Sequence, residues 1–161
     1  MALNMKYLLC GILLLISQLS YADHSHQLEP LEVRYSVFPT TFISDKIATA
    51  YRIKRKQCYA LMKVSVLNKQ QPGKPSLNTK IDGTMLSGLG EKKRLRFRRI
   101  QEGYKIYYLA QFKHPPQAEF KFVVNIHHQN KPHQLKFKHT LFSDNEPFSA
   151  SALLLYPQRL S

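Results

Sequence analysis

The run EKKRLRFRR, residues 91–99, alternates cations with apolar residues, so that Arg94, Arg96 and Arg98 share one face if the segment is a strand. Three guanidinium groups at that spacing suit anion recognition, because each offers a planar fork of donors that fits a carboxylate or a phosphate. A second basic group, Arg52, Lys54 and Arg55 with Lys56 beside them, follows the segment SDKIATAY. Such surfaces attract phosphates, lipid headgroups, nucleic acid or acidic proteins. The plain alternative is a solvated edge strand whose charges discourage pairing with another chain.

Seven histidines raise metal chemistry as a second theme. His127 and His128 are neighbours on a strand and point to opposite faces, so they make no simple two-ligand pair. Reading Gln129 to Pro132 as a four-residue loop sets His128 directly opposite His133, which would be a weak two-imidazole site for copper or zinc. A closed zinc site takes four protein ligands. Asp23, His24 and His26 form a second candidate for Cu(II), at the start of the exported chain, while His139 falls on an apolar face and reads as a core histidine. No resident cofactor is expected.

Catalytic chemistry has less support. Ser87 stands in MLSGL rather than G-x-S-x-G, and the ten acidic residues show no paired spacing. The Gly88-Leu89-Gly90 stretch reads as a turn that uses positive φ rather than a phosphate cradle. An enzyme site would have to be assembled from residues distant in sequence.

The leader decides which of these partners the chain meets. MALNMKYLLCGILLLISQLSYADH places Lys6 before an uncharged apolar run and ends that run in Ser20-Tyr21-Ala22, the pattern of a secretory signal peptide spanning residues 1–22. The run is shorter than the roughly 18 to 20 residues of a spanning helix, and bulky Leu8 and Leu9 before Cys10 argue against lipid attachment. Cleavage after Ala22 takes away one lysine and no acid, so the whole chain's +14 becomes +13. The expected location is the periplasm. There an anionic envelope component or an acidic protein is the expected partner, and nucleic acid is not. Cys58 is then the only cysteine, which excludes an internal disulfide.

Period-two alternation supplies the elements that must position these groups. Leu31, Val33, Tyr35 and Val37 lie in phase, as do Cys58, Ala60, Met62, Val64 and Val66, a register that puts Cys58 on an apolar face. A weaker run covers Leu77 to Met85. In EGYKIYYLAQF, Tyr104, Ile106, Tyr108, Ala110 and Phe112 share the core face, and Tyr107 faces outward toward a partner or a covering loop. The last two runs pair with Ile126 facing Leu135 and Val124 facing Phe137 under the four-residue loop. The prediction is all-β: an immunoglobulin-like antiparallel β-sandwich of about seven strands, with one short helix after the first, capped by Ser44. A closed barrel is the alternative. Residues 23–30 are expected to be a flexible start, 31–142 a single domain, and 143–161 a tail.

The stretches VRYSVFPTTFISDKIATAYRIKRK, LMKVSVL, LRFRRIQEGYKIYYLAQF and EFKFVVNI resemble the small exported gammaproteobacterial family catalogued as domain of unknown function 4426. The resemblance runs from about Leu31 to Phe142. It implies an immunoglobulin-like sandwich in the periplasm and no established activity, so no catalytic residues carry over. The chain departs from the pattern at Lys63, where a polar uncharged residue is expected, and in the tail after Phe142. Export signal, strand pattern and basic faces together point to a non-enzymatic binding module. Metal binding is the alternative, and an enzyme the remote one.

Overall fold

A computed structural model of the protein describes residues 24–142. Residues 1–23, where the signal peptide is expected, and residues 143–161, the expected tail, lie outside the described residues. Nine strands are present among those described: β1 (His24–Leu28), β2 (Leu31–Pro39), β3 (Tyr59–Asn68), β4 (Lys80–Ser87), β5 (Lys92–Leu95), β6 (Arg98–Glu102), β7 (Lys105–Lys113), β8 (Gln117–His128) and β9 (Lys131–Phe142). One short helix, α1 (Asp45–Ala50), follows β2. Ser44 caps it by accepting from the Ile47 N–H at 3.4 Å, as its sequence predicts.

Two antiparallel sheets carry the strands in the orders β1-β2-β3-β7-β6 and β5-β4-β8-β9. With β1 set aside, the first order is that of the A, B, E and D strands of an immunoglobulin domain, and the second adds one strand to C, F and G. The expected sandwich is therefore the observed one. β1 is an additional edge strand, paired with β2 from His24↔Tyr35 to Leu28↔Leu31, where the sequence suggested a loose start.

Alternation builds the core directly. Leu31, Val33, Met62, Val64 and Val66 of one sheet meet Phe122, Val124, Ile126 and Leu135 of the other, all 0–1% exposed. An aromatic chain bridges the layers: the ring of Tyr35 lies 4.2 Å from Phe137, Phe137 lies 5.1 Å from Phe122, and Phe122 lies 5.5 Å from Phe112. Offset and tilted contacts of this kind add to the burial term. The Tyr108 hydroxyl accepts from the Thr79 N–H at 2.7 Å and donates to the Leu77 carbonyl at 3.1 Å, tying the β3–β4 connection to the core.

Three expectations fail locally. Cys58 is exposed, because β3 begins one residue later at Tyr59 and the apolar phase runs past the strand's end into a turn. Native-state alkylation should therefore label Cys58 as readily as in unfolded protein, with intact mass as the readout. Tyr104 is 84% exposed. Gly103, at φ +58°, opens a two-residue turn between Glu102 and Lys105, and Tyr104 is its second residue rather than the first core position of β7. The β8–β9 loop is also shorter than expected. Gln129 (φ 50°) and Asn130 (φ 59°) form a two-residue turn, so Ile126 pairs with His133 and Val124 with Leu135. A slip of two keeps every apolar side chain on its face, which is why the wrong loop length still gave the right core.

His139 is half-buried opposite Phe120. Burial holds its imidazole below the ordinary histidine range, and His24 pushes in the same direction. The fold thus favours the neutral ring. Its contribution to stability is complete above the unfolded-state value, about 6.5, and is lost as the pH falls below it. Urea midpoints should drop between pH 7.5 and 5.5, and His139→Gln should flatten that slope.

Candidate functional site

Each sheet turns one face to the core and one outward, and the outward faces hold the charged residues. On the four-stranded sheet, register places Lys92 and Arg94 of β5, Lys80 of β4, Lys121 of β8 and Lys136 and Lys138 of β9 on the outer face. Asp82 and Glu119 are the carboxylates among them. Glu119 meets Lys138 at 3.7 Å. Asp82 accepts from Asn125 at 2.8 Å and lies 3.1 Å from His127, and these contacts, Asn125 first, hold its carboxyl below the ordinary range. Lys80, Lys92, Arg94, Lys121 and Lys136 make no ion pair among the described residues. Lys121 and Lys138 are direct cross-strand partners. Like charges placed so close destabilise a sheet, and here Glu119 offsets only part of that repulsion.

The five-stranded sheet is covered at both ends of its outer face and open between them. At one end α1 and its flanks pack Ile43, Ala48 and Ile53 onto Leu61 and Leu109. At the other, the β3–β4 connection covers buried Glu32, which accepts from Lys74 at 2.6 Å and Arg34 at 2.8 Å; those bonds, Lys74 first, hold its carboxyl below the ordinary range. Between the covers lie two adjoining hollows of about 750 and 640 Å³. Phe38, Phe42, Ile47 and Leu109 line the first, Arg34, Lys74 and Lys105 the second, and Lys63 and Tyr107 belong to both.

The sequence-predicted residues divide between these faces. Arg94, Arg96 and Arg98 do not share a strand face. The chain crosses between sheets at Arg96 and Phe97, leaving Arg94 on β5 opposite Thr84 and Arg98 on β6 opposite Leu109, donating to the Tyr51 carbonyl at 2.8 Å. Alternation continues through the crossing, so nothing in the local pattern marks it. Arg52, Lys54 and Arg55 are exposed beside α1. Arg55 pairs with Asp45 at 3.1 Å, and the Lys54 backbone exchanges two hydrogen bonds with the Gln111 amide. Buried Thr40 fixes this loop, its hydroxyl accepting from the Lys56 N–H at 3.1 Å. Tyr107 faces outward as expected, with the Lys63 ammonium 5.7 Å from its ring centre.

His128 pairs with Lys131, not with His133, which stands opposite Ile126; the two histidines are diagonal on one face. No three of His, Cys, Asp and Glu cluster as a metal site among the described residues. Sequence reading missed Lys121, Lys136 and Lys138 as a surface. Each occupies the outward phase of its strand, but only register brings them together.

Residues 25–144 match the profile of the family described as Domain of unknown function (DUF4426). The chain belongs to that family. This DUF4426 domain superposes on the crystal structure of a DUF4426 family protein from Pseudomonas aeruginosa PAO1 with a TM-score of 0.65 at 23% identity, covering 75% of this chain and 95% of that one. FetP of uropathogenic Escherichia coli strain F11, as isolated after recombinant expression in the periplasm, gives a TM-score of 0.54 at 12% identity over 77% of this chain and 96% of FetP. A copper-bound variant of FetP gives 0.54 at 11% identity, over 80% and 96% of the two chains. At such identities the likeness to these structures is one of fold. No curated protein matches the DUF4426 chain.

Proposed function

We propose that the protein is a non-enzymatic, exported binding module that docks an anionic component of the cell envelope on the outer face of its four-stranded sheet. The observation that carries this reading is the juxtaposition of Lys121, Lys136 and Lys138, with Lys121 directly opposite Lys138. A fold that only needed solubility would gain by separating those charges; an anionic partner offsets their repulsion. The leader motif at residues 1–22 supports the periplasm as the place of action.

Sedimentation with vesicles tests the proposal. The protein should bind phosphatidylglycerol-containing vesicles and not pure phosphatidylcholine, and should be released as salt rises from about 0.05 to 0.5 M. Combining Lys121→Gln, Lys136→Gln and Lys138→Gln should weaken binding about a hundredfold, since each lysine near an anionic surface contributes about 1 kcal/mol. Its melting temperature should not fall. Unchanged binding by the folded triple variant would refute the assignment of this face.

Copper or zinc binding is the second reading, favoured by the fold likeness to copper-bound FetP. Metal analysis of untagged protein after dialysis tests it: stoichiometric copper or zinc would support it, and the absence of both would refute it.

A further inference from the structure

The two adjoining hollows on the other sheet differ in chemistry in a way that one ligand class fits. The first is mainly apolar, and the one carboxylate in its lining, Glu102, accepts from the Tyr51 hydroxyl. Its walls come from Phe38 of β2, Leu109 of β7 and Ile53 beyond α1, and its rim carries Phe42 and Ile47, which are 57% and 48% exposed. Ile47 lies on α1 and borders the opening half-exposed, while Ala48 is the residue of that helix buried beneath it. At about 750 Å³ the hollow falls within the roughly 300–1,000 Å³ of small-molecule sites.

The second hollow is polar and cationic. Arg34, Lys63, Lys74 and Lys105 reach it. Glu32 neutralises part of the charge of Arg34 and Lys74 from beneath. Lys63 and Lys105 have no carboxylate within ion-pair distance among the described residues; their ammonium groups stand over the rings of Tyr107 and Tyr104, at 5.7 and 5.9 Å. A lysine held over an aromatic face keeps its charge and its donors for a further partner. Lys63 and Tyr107 form the boundary at which the apolar hollow opens into the cationic one.

We infer that this groove is a binding site for a single-chain anionic amphiphile, its acyl chain lying against Leu109, Phe42 and Ile47 and its anionic head against Lys63 and Lys105. The charge pattern selects the occupant. An apolar peptide segment would leave the two lysines without partners, and a small inorganic anion would leave the apolar hollow to water. The site is on the sheet opposite the proposed docking face, so it goes beyond the envelope-docking proposal and its failure would leave that proposal untouched.

Isothermal titration calorimetry with dodecyl phosphate, kept below its micellar concentration, tests the inference. Saturable binding with one ligand per chain is expected, at least tenfold tighter than dodecyltrimethylammonium or inorganic phosphate. Lys63→Glu should weaken dodecyl phosphate at least tenfold, and Ile47→Asp should do the same from the apolar end. Both sites point outward from the core, and a melting curve checks that each variant is folded. Lys131→Gln, at the exposed β8–β9 turn and outside both sites, should change nothing. Equal affinity for the cationic detergent would overturn the head assignment, and an unaltered Ile47→Asp titration would overturn the chain assignment. No saturable binding would overturn the inference outright, and a dimer in sedimentation under the same conditions would give the groove to a second copy of the chain.

Discussion

Tyr108→Ala is expected to destabilise the fold by about 3–5 kcal/mol, the range for emptying an aromatic core site. The ring is 3% exposed, and its hydroxyl holds both the Thr79 N–H and the Leu77 carbonyl. Tyr108→Phe separates the two contributions. It keeps the ring and strands two backbone groups, for an expected loss of about 1–3 kcal/mol. Tyr107→Ala, one residue away on the outward face, should cost much less than Tyr108→Ala. Urea denaturation of the three variants measures the contrast, and equal losses at 107 and 108 would show that the strand faces are misassigned.

Gly83→Ala is expected to cost about 1–3 kcal/mol through overpacking. Gly83 lies inside β4 between Val124 and Leu95. An added Cβ would approach the Val123 carbonyl oxygen to 2.9 Å and the Phe97 ring to 3.3 Å. The carbonyl belongs to the paired strand and cannot turn aside. The ring belongs to the segment that crosses between sheets, so the glycine is what lets the crossing pack closely. Gly88→Ala is the control, because the nearest atom to its Cβ would be 3.9 Å away. Denaturation midpoints should fall for the first variant and hold for the second.

The inward half of this fold was legible because burial imposes a period that a strand cannot hide. Leu31 to Val37, Ala60 to Val66 and Phe120 to Ile126 alternate in sequence and point to the core in space. Strand ends were less legible. Cys58 keeps the phase of β3 but precedes its first residue, and Tyr104 keeps the phase of β7 but belongs to a turn set by Gly103. Both errors extend a periodic pattern past the point where backbone pairing stops. The turn at Gln129 and Asn130 needed two residues with positive φ, and the sequence also allowed a longer loop.

The candidate site was harder to see for a different reason. A row of charges across a sheet comes from three or four strands, so its members are far apart in sequence. Lys121 and Lys138 become neighbours only through the β8–β9 register. The arginines at 94, 96 and 98 show the converse, since adjacency in sequence was broken by a crossing that carries the same alternation into the opposite sheet. Lys63 was conspicuous in sequence, but its place beside Tyr107 between two hollows depends on α1 covering one end of the sheet and the β3–β4 connection covering the other.

Photo-crosslinking in intact cells tests the central claim most directly. A photoreactive amino acid placed at Lys136, on the outer face of the four-stranded sheet, should capture an anionic envelope component identifiable by mass spectrometry. The same probe at Lys113, at the end of β7 on the other sheet and outside both hollows, should not. Capture at Lys136 should fall when Lys121 and Lys138 become glutamine. Equal capture from both positions, or undiminished capture in the glutamine variant, would contradict the assignment of the basic face as the docking surface.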